Sequence, residues 1–354
     1  MAVLGPLRVL TRDAAPDGVQ DVPVTTAQQT RPAGPQHGAP AQVWTALTIV
    51  YVVWGSTYLA IAVTVRTLPP LVSMGLRFFV AAAVLAAFLV LRRGRRALAV
   101  TRAELRGAAL VGVLLLGVGM GMVTMAEQYV PSGVAALIVS IMPVWVVLLR
   151  TFTGDRPRLV TWLGVAIGFA GMVVLVHPGA DVATVNGASD AQRALWSMLM
   201  PLGTLCWAVG SFLQPRITTP RDPLVLTTYE MLTGGTVLAL VGLLRGEDLS
   251  KFATADRASC AAWAYLVTAG SLFAYLAFVW LVDHAPLSLI STYAYVNPVV
   301  AVLLGWLILR EPLSSAVLLG GAIIVSGVVL VVSGERLGRG PQVSHEPVEP
   351  PSVV

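Results

Sequence analysis

Two ionisable residues, Arg77 and Glu230, interrupt long apolar runs of this 354-residue chain. A charge near the middle of a membrane-spanning helix costs roughly 2.5 to 3.5 kcal/mol on insertion scales, so a residue kept there is a candidate for function. Arg77 lies seven residues past Pro70 and Glu230 seven past Pro223, so the two occupy one position of a repeated pattern with opposite sign. At about 1.5 Å of rise per residue each sits roughly 10 Å inside its helix start, one entering from the outer surface and the other from the inner. A hydrocarbon core of about 30 Å then leaves them roughly 10 Å apart in depth, and no direct salt bridge is expected. Arg77 would attract anionic groups from the outer side. Glu230 would recruit cationic groups or a proton from the inner side, with Thr227 and Thr233 as polar company about one turn to either side. The same residues also fit a plainer reading, in which Arg77 snorkels to the outer headgroups and Glu230 bonds a neighbouring helix.

Aromatic and hydroxyl side chains form a second group. Trp54, Ser56, Thr57 and Tyr58 lie in one apolar run, Trp207 and Ser211 in another, Tyr275 in a third, and Ser291, Thr292, Tyr293, Tyr295 and Asn297 in a fourth. Tyr293 and Asn297 are one helical turn apart and share a face. Polar groups in this number suit a hollow that meets water from each side in turn, with Trp54, Thr57, Tyr58, Arg77, Trp207, Ser211, Glu230, Tyr275, Tyr293 and Asn297 as its substrate-binding candidates. Interfacial belts and interhelical hydrogen bonds are the competing explanation for any one of them. Pro143 and Pro298 stand at matched positions inside apolar runs, where a missing N–H and a ring clash weaken or kink a helix. Paired interruptions of this kind mark the moving or binding parts of a carrier, or packing bends. Gly164, Gly168 and Gly171, with Gly320, Gly321 and Gly327, fit close helix packing or a dimer face better than substrate contact.

Signatures of enzymes do not emerge. His37, His177, His284 and His345 fall in tails or at helix ends, and no His-x-x-x-His, Gly-x-Ser-x-Gly or Walker-type loop occurs. Cys206 and Cys260 cannot supply a disulfide framework or a zinc site. Catalysis, a self-contained ATP-driven pump, a metal and a cofactor are therefore not expected.

The elements that must hold these groups follow from composition. With 56% hydrophobic and 12% charged residues the chain needs the bilayer as its solvent. The net charge of +5 comes almost wholly from arginines in short loops, so no nucleic-acid surface is expected. A spanning helix takes about 20 apolar residues. Ten segments qualify, at about 43–63, 70–91, 107–125, 132–149, 159–176, 194–213, 224–244, 260–282, 287–309 and 315–332. Arg92, Arg93, Arg95, Arg96, Arg102 and Arg106 follow the second span, and Arg150, Arg156 and Arg158 the fourth, which places those loops and both termini in the cytoplasm. Residues 1–42 and 333–354 read as disordered cytoplasmic tails.

Internal repetition decides the arrangement. Trp54 recurs as Trp207 and Pro70-Leu71-Val72 as Pro223-Leu224-Val225, an offset of 153, and Pro131, Pro143 and Pro157 recur as Pro286, Pro298 and Pro312 at an offset of 155. A five-span unit repeated once must invert, because an odd number of crossings starts the second copy on the opposite side. The expected fold is all-α and integral to the membrane, ten transmembrane helices as two inverted five-helix repeats around a midplane site.

Trp54-Gly55-Ser56-Thr57-Tyr58, Leu76-Arg77-Phe78, Ala126-Glu127-Gln128-Tyr129-Val130-Pro131-Ser132-Gly133 and Arg310-Glu311-Pro312 carry a resemblance to the EamA group of the drug/metabolite transporter superfamily. It covers about 43–332, with 43–177 and 194–332 as the two EamA-like repeats and 178–193 as an external linker. The resemblance implies a five-plus-five inverted-repeat fold and a secondary carrier, often an exporter of amino acids, other metabolites or drugs. It assigns Glu311 to a Glu-Pro position that the first repeat fills with Asp155-Arg156-Pro157.

The expected protein is a plasma- or inner-membrane secondary transporter, active or facilitative, exporting small metabolites by alternating access. Helices one to four and six to nine would wall the cavity, with five and ten packed outside. Its partners would be a small-molecule substrate, the lipid bilayer and protons, and it would be a monomer or homodimer. A multidrug or amine efflux protein, an importer, and a receptor or scaffold without transport are the alternatives.

Overall fold

The structure, a computed structural model, describes residues 40–338 except 155 and 178, and of residues 40, 283, 287, 288 and 335–338 it describes the backbone alone. His37, His345, Asp155 and nearly all of the expected tails lie outside the described residues. Among the described residues nine helices are long and apolar enough to cross a membrane, α1 (Ala41–Thr64), α2 (Pro70–Arg93), α3 (Arg102–Ala126), α4 (Ser132–Thr151), α5 (Leu159–Val176), α6 (Asp190–Arg216), α7 (Pro223–Leu244), α8 (Arg257–Val282) and α10 (Ser315–Gly334). Between the last two lies the shorter apolar α9 (Tyr293–Leu309), and the helix of α10 continues to Gly338, beyond the expected start of a tail at 333.

Local chemistry sets the helix ends. Pro70 and Pro223 open α2 and α7, where a helix needs no amide donor. Capping boxes start α3, with Thr101 and Glu104, and α6, with Ser189 and Gln192; Asp256 caps α8. Two N-termini are capped from the other repeat. The Glu247 carboxylate accepts the Leu71 and Val72 amides, each at 2.9 Å, and Glu311 accepts Ser132 N–H at 2.8 Å, the Ser132 hydroxyl at 2.8 Å and Gly133 N–H at 3.1 Å. A carboxylate facing helix-end amides meets unpaired donors and the positive end of the helix dipole. Arg310, in the left-handed region at φ 56°, turns the chain at the end of α9 just before Glu311.

The repeat-related helices run antiparallel, as inversion requires. Gly75 of α2 meets Gly235 of α7, where a Cβ on the first would come 2.8 Å from the carbonyl oxygen of the second. Along α5 and α10 the contacts run in opposite senses, with Gly164 against Gly327 and Val331, and Gly171 against Gly320 and Ile324. The glycine rows on these two helices are thus consumed by close packing within one chain. Large aliphatic side chains cover the outer faces, among them Leu159, Leu163, Leu318 and Leu319, each more than half exposed to what lipid would occupy.

Two departures from regular helix bear on the centre. α4 breaks at Ser140–Ile141, where Pro143 cannot donate to the preceding turn; Val144 N–H instead reaches Ile141 O at 2.9 Å. The span expected over 287–309 also breaks, into a one-turn helix, Leu287–Ile290, and α9, with Ser291 and Thr292 between and the Thr292 hydroxyl bonded to Tyr51. Pro298, however, lies inside the continuous α9, so the matched prolines do not sit at matched breaks. The second departure is symmetric: Val113–Met120 of α3 and Leu266–Phe273 of α8 both wind as π-helix, at the repeat offset of 153 (113 to 266, 120 to 273). Widened turns of this type recur at functional sites.

Candidate functional site

A cavity of about 960 Å³ lies between the two repeats. Its walls come from α1, α2, α3, α4, α6, α7, α8 and α9 with the residues just before it, and α5 stays outside. One expectation needs correction, because α10 is not wholly peripheral: Val331 and Val332 reach the lining. The π-helical segments face inward and contribute Leu115, Leu116, Gly119 and Met120 from α3 and Gly270 and Ser271 from α8. The lining runs from Phe78 and Val123 at one end to Arg150 and Gln214, in the last turns of α4 and α6, at the other.

Of the candidates named from sequence, Trp54, Thr57, Arg77, Trp207, Ser211, Glu230, Tyr275, Tyr293 and Asn297 all line this one cavity, and so do Pro143 and Pro298. Tyr58 does not line it. It packs one turn further along α1 against the main apolar core, close enough to interact with both Glu127 and Tyr293. Ser56 is spent on an interhelical bond to the Tyr265 hydroxyl at 2.6 Å, and Thr233 bonds back to Tyr229 O at 2.9 Å against Gly112 of α3.

Arg77 is 4% exposed. Its Nε donates to Ser271 Oγ at 2.8 Å, Nη1 points to the Met74 sulfur, and the guanidinium stands 5.0 Å from the Phe78 ring centre. Gly270 leaves room for it, since a Cβ there would lie 3.3 Å from Nη2. Among the described residues no carboxylate pairs with this cation. Glu230 is likewise buried, and its Oε1 has no hydrogen-bond partner among the described residues. Its neighbours Thr227 and Tyr275 are bonded to one another through their hydroxyls. Arg77 and Glu230 form no ion pair with each other among the described residues, and both line the one hollow. Asn297 adds a buried Oδ1 without a hydrogen-bond partner among the described residues. Trp54, Phe278 and Tyr293 form an aromatic wall, with ring centres 5.1 to 6.0 Å apart.

Beyond the Val123 end the protein is closed. Tyr129 stacks on Trp196 with centroids 5.6 Å apart, and both join the apolar core that includes Val130, Val182 and Met200. Glu127, treated from sequence as a loop acid, is wholly buried here. The signal available in the sequence was its place between two apolar spans with no basic residue in Ala126–Gly133. The wide π turns had no comparable signal, and neither did the capping by Glu247 and Glu311, because that capping depends on which helices meet.

The comparisons with known proteins accord with this architecture. A model of the EamA-like transporter family matches residues 43–177 and 194–333. The chain is 40% identical over 294 residues to the "Uncharacterized inner membrane transporter YedA" of Escherichia coli K12, covering 82% of this chain and 91% of the relative. It is 25% identical over 286 residues to the "Uncharacterized transporter YoaV" of Bacillus subtilis 168, covering 79% and 93%. A solved crystal structure at 21% identity superposes with a TM-score of 0.54 over 85% of this chain and all of that one, a likeness of fold. Family match, identity and repeat architecture agree: the chain belongs to the EamA-like transporter family, as a multi-pass membrane transporter.

Proposed function

We propose that the protein exports small organic metabolites, amino acids or related solutes with both an anionic and a cationic group, across the inner membrane by alternating access. The observation that carries this reading is the placement of Arg77 and Glu230, buried, opposite in charge and without an ion-pair partner among the described residues, on the wall of one cavity. A buried charge lacking its partner is costly, and a zwitterionic solute would supply both partners at once. The arginine-rich loops after α2 and α4 support a cytoplasmic position for those loops and for both termini. In that orientation the Arg150 and Gln214 end of the cavity faces the cytoplasm, and Glu127, Glu247 and Glu311 lie at the outer end. Pro143, at the break in α4, is the favoured hinge, with Pro298 as its sequence counterpart.

A second reading, efflux of amines or larger drugs, draws support from the aromatic wall, since Trp54 and Tyr293 could hold a cation by their ring faces. Counterflow of labelled amino acids, sugars and amines in liposomes containing the purified protein, with and without a pH gradient, separates the two. Saturable counterflow of zwitterions is the expected result; counterflow of amines alone would favour the second reading, and failure to move any solute would favour a receptor or scaffold. Glu230→Gln is expected to abolish or greatly reduce counterflow while the protein still inserts and purifies as the wild type does. Unchanged counterflow in that variant would remove Glu230 from the site.

A further inference from the structure

Glu127, the first residue past α3, is 0% exposed, and neither of its carboxylate oxygens has a hydrogen-bond partner among the described residues. Tyr58 and the Ala62 amide from α1 and Glu311 from the turn after α9 act on Glu127 electrostatically. From α6, which packs against the end of α3, the buried Arg193 turns to Ala180 O at 3.5 Å and to Asp190 at 3.7 Å. Glu311 brings negative charge, and its oxygens are already engaged by Ser132 and Gly133. No cation pairs with Glu127 among the described residues. Burial, reinforced by Glu311, pushes the Glu127 carboxyl well above the usual carboxylate range.

An ionised carboxylate in this position would be a buried charge with no cation paired to it and only the Ala62 amide toward it, which proteins avoid by protonating the group. The location gives that proton a consequence. Trp54 lines the cavity, Tyr58 is one turn further along the same face of α1, and Glu127 lies beside Tyr58 at the closed end, where Tyr129 stacks on Trp196. Any rearrangement that opens this end to water must part the packing around Glu127 and solvate it.

We propose that Glu127 is a proton-binding site linked to alternating access, holding its proton while the outer end is shut and releasing it to water when that end opens. The sign follows from linkage: the shut form binds the proton more tightly, so acid favours the shut form and alkali the open one. The inference rests on the transport reading for its meaning, but it is tested by a separate observable.

The test uses the full chain with Cys206 and Cys260 replaced by alanine and one reporter, Val130→Cys, a buried position at the closed end. Labelling by a membrane-impermeant maleimide from the outer side is measured from mildly acidic to mildly alkaline medium, normalised at each pH to the unfolded protein to remove the thiol's own titration. The expected result is labelling that rises several-fold with pH when Glu127 is present, stays low and flat in Glu127→Gln, and returns with a displaced midpoint in Glu127→Asp. Labelling indifferent to pH, or an equal rise in Glu127→Gln, would overturn the proposal. A response to sodium at constant pH instead would overturn it too, by assigning a metal cation to the site. Gln copies the shape of the neutral acid, so Glu127→Gln should fold; if it does not, the Glu127→Asp midpoint decides. Loss of the transport reading would show separately, as absent counterflow in the wild type.

Discussion

Arg77 and Ser271 form the polar contact on which anion recognition would turn, and the two readings of Arg77 make different demands on it. A guanidinium held at Nε by Ser271 and facing a cavity can present its remaining donors to a carboxylate in a planar fork, which an ammonium cannot. Arg77→Lys is therefore expected to lower apparent affinity about ten-fold for solutes bearing a carboxylate, the size of a lost charge-assisted bond of ~1.5 kcal/mol, and to leave amines unaffected. Competition in counterflow measures this, and equal loss for both solute classes would show a general packing defect. Arg77, Glu230 and the aromatic and hydroxyl groups were legible in the sequence because each is anomalous in an apolar run. Glu127 was not, because a carboxylate at a helix end reads as a solvated loop residue until its neighbours are known.

At the level of elements, the joints between the repeats carry the testable energetics. Glu311→Ala would leave two amides and one hydroxyl at the start of α4 without their acceptor, and each buried unsatisfied group costs about 1 to 3 kcal/mol. A fall in Tm, with Glu311→Gln intermediate because it keeps one acceptor oxygen, is the expected outcome in detergent melting. Gly164→Val places a side chain where a Cβ already comes 2.7 Å from Gly327 O, and overpacking of this kind costs about 1 to 3 kcal/mol. Leu163→Ala, on the neighbouring lipid-facing position, should change Tm far less. Apolar length located the nine spans and the shorter α9, since a spanning helix has little freedom in length, but not the short helices Arg95–Leu98 and Lys251–Thr254 between them. The breaks were harder to read: Pro143 coincides with one, but the other falls at Ser291–Thr292, away from Pro298, where the Thr292 hydroxyl turns to Tyr51. The π-helical turns of α3 and α8 leave no mark in hydropathy, since their residues are as apolar as those of the regular turns around them.

For the whole molecule, inversion was legible from proline and tryptophan offsets alone, because an odd number of spans leaves no other arrangement. Reporter fusions after α3 and α7 should report the outer side, and fusions after α2 and α4 the cytoplasm. The central claim is that one hollow between the repeats opens to each face of the membrane in turn. Ser211→Cys in the cysteine-free background places a thiol in its wall. Impermeant maleimide applied separately to inside-out and right-side-out vesicles is the most direct measurement. Labelling from both faces, each slowed by a transported solute, is the expected result; labelling from one face only, whatever the pH or solute, would contradict the account.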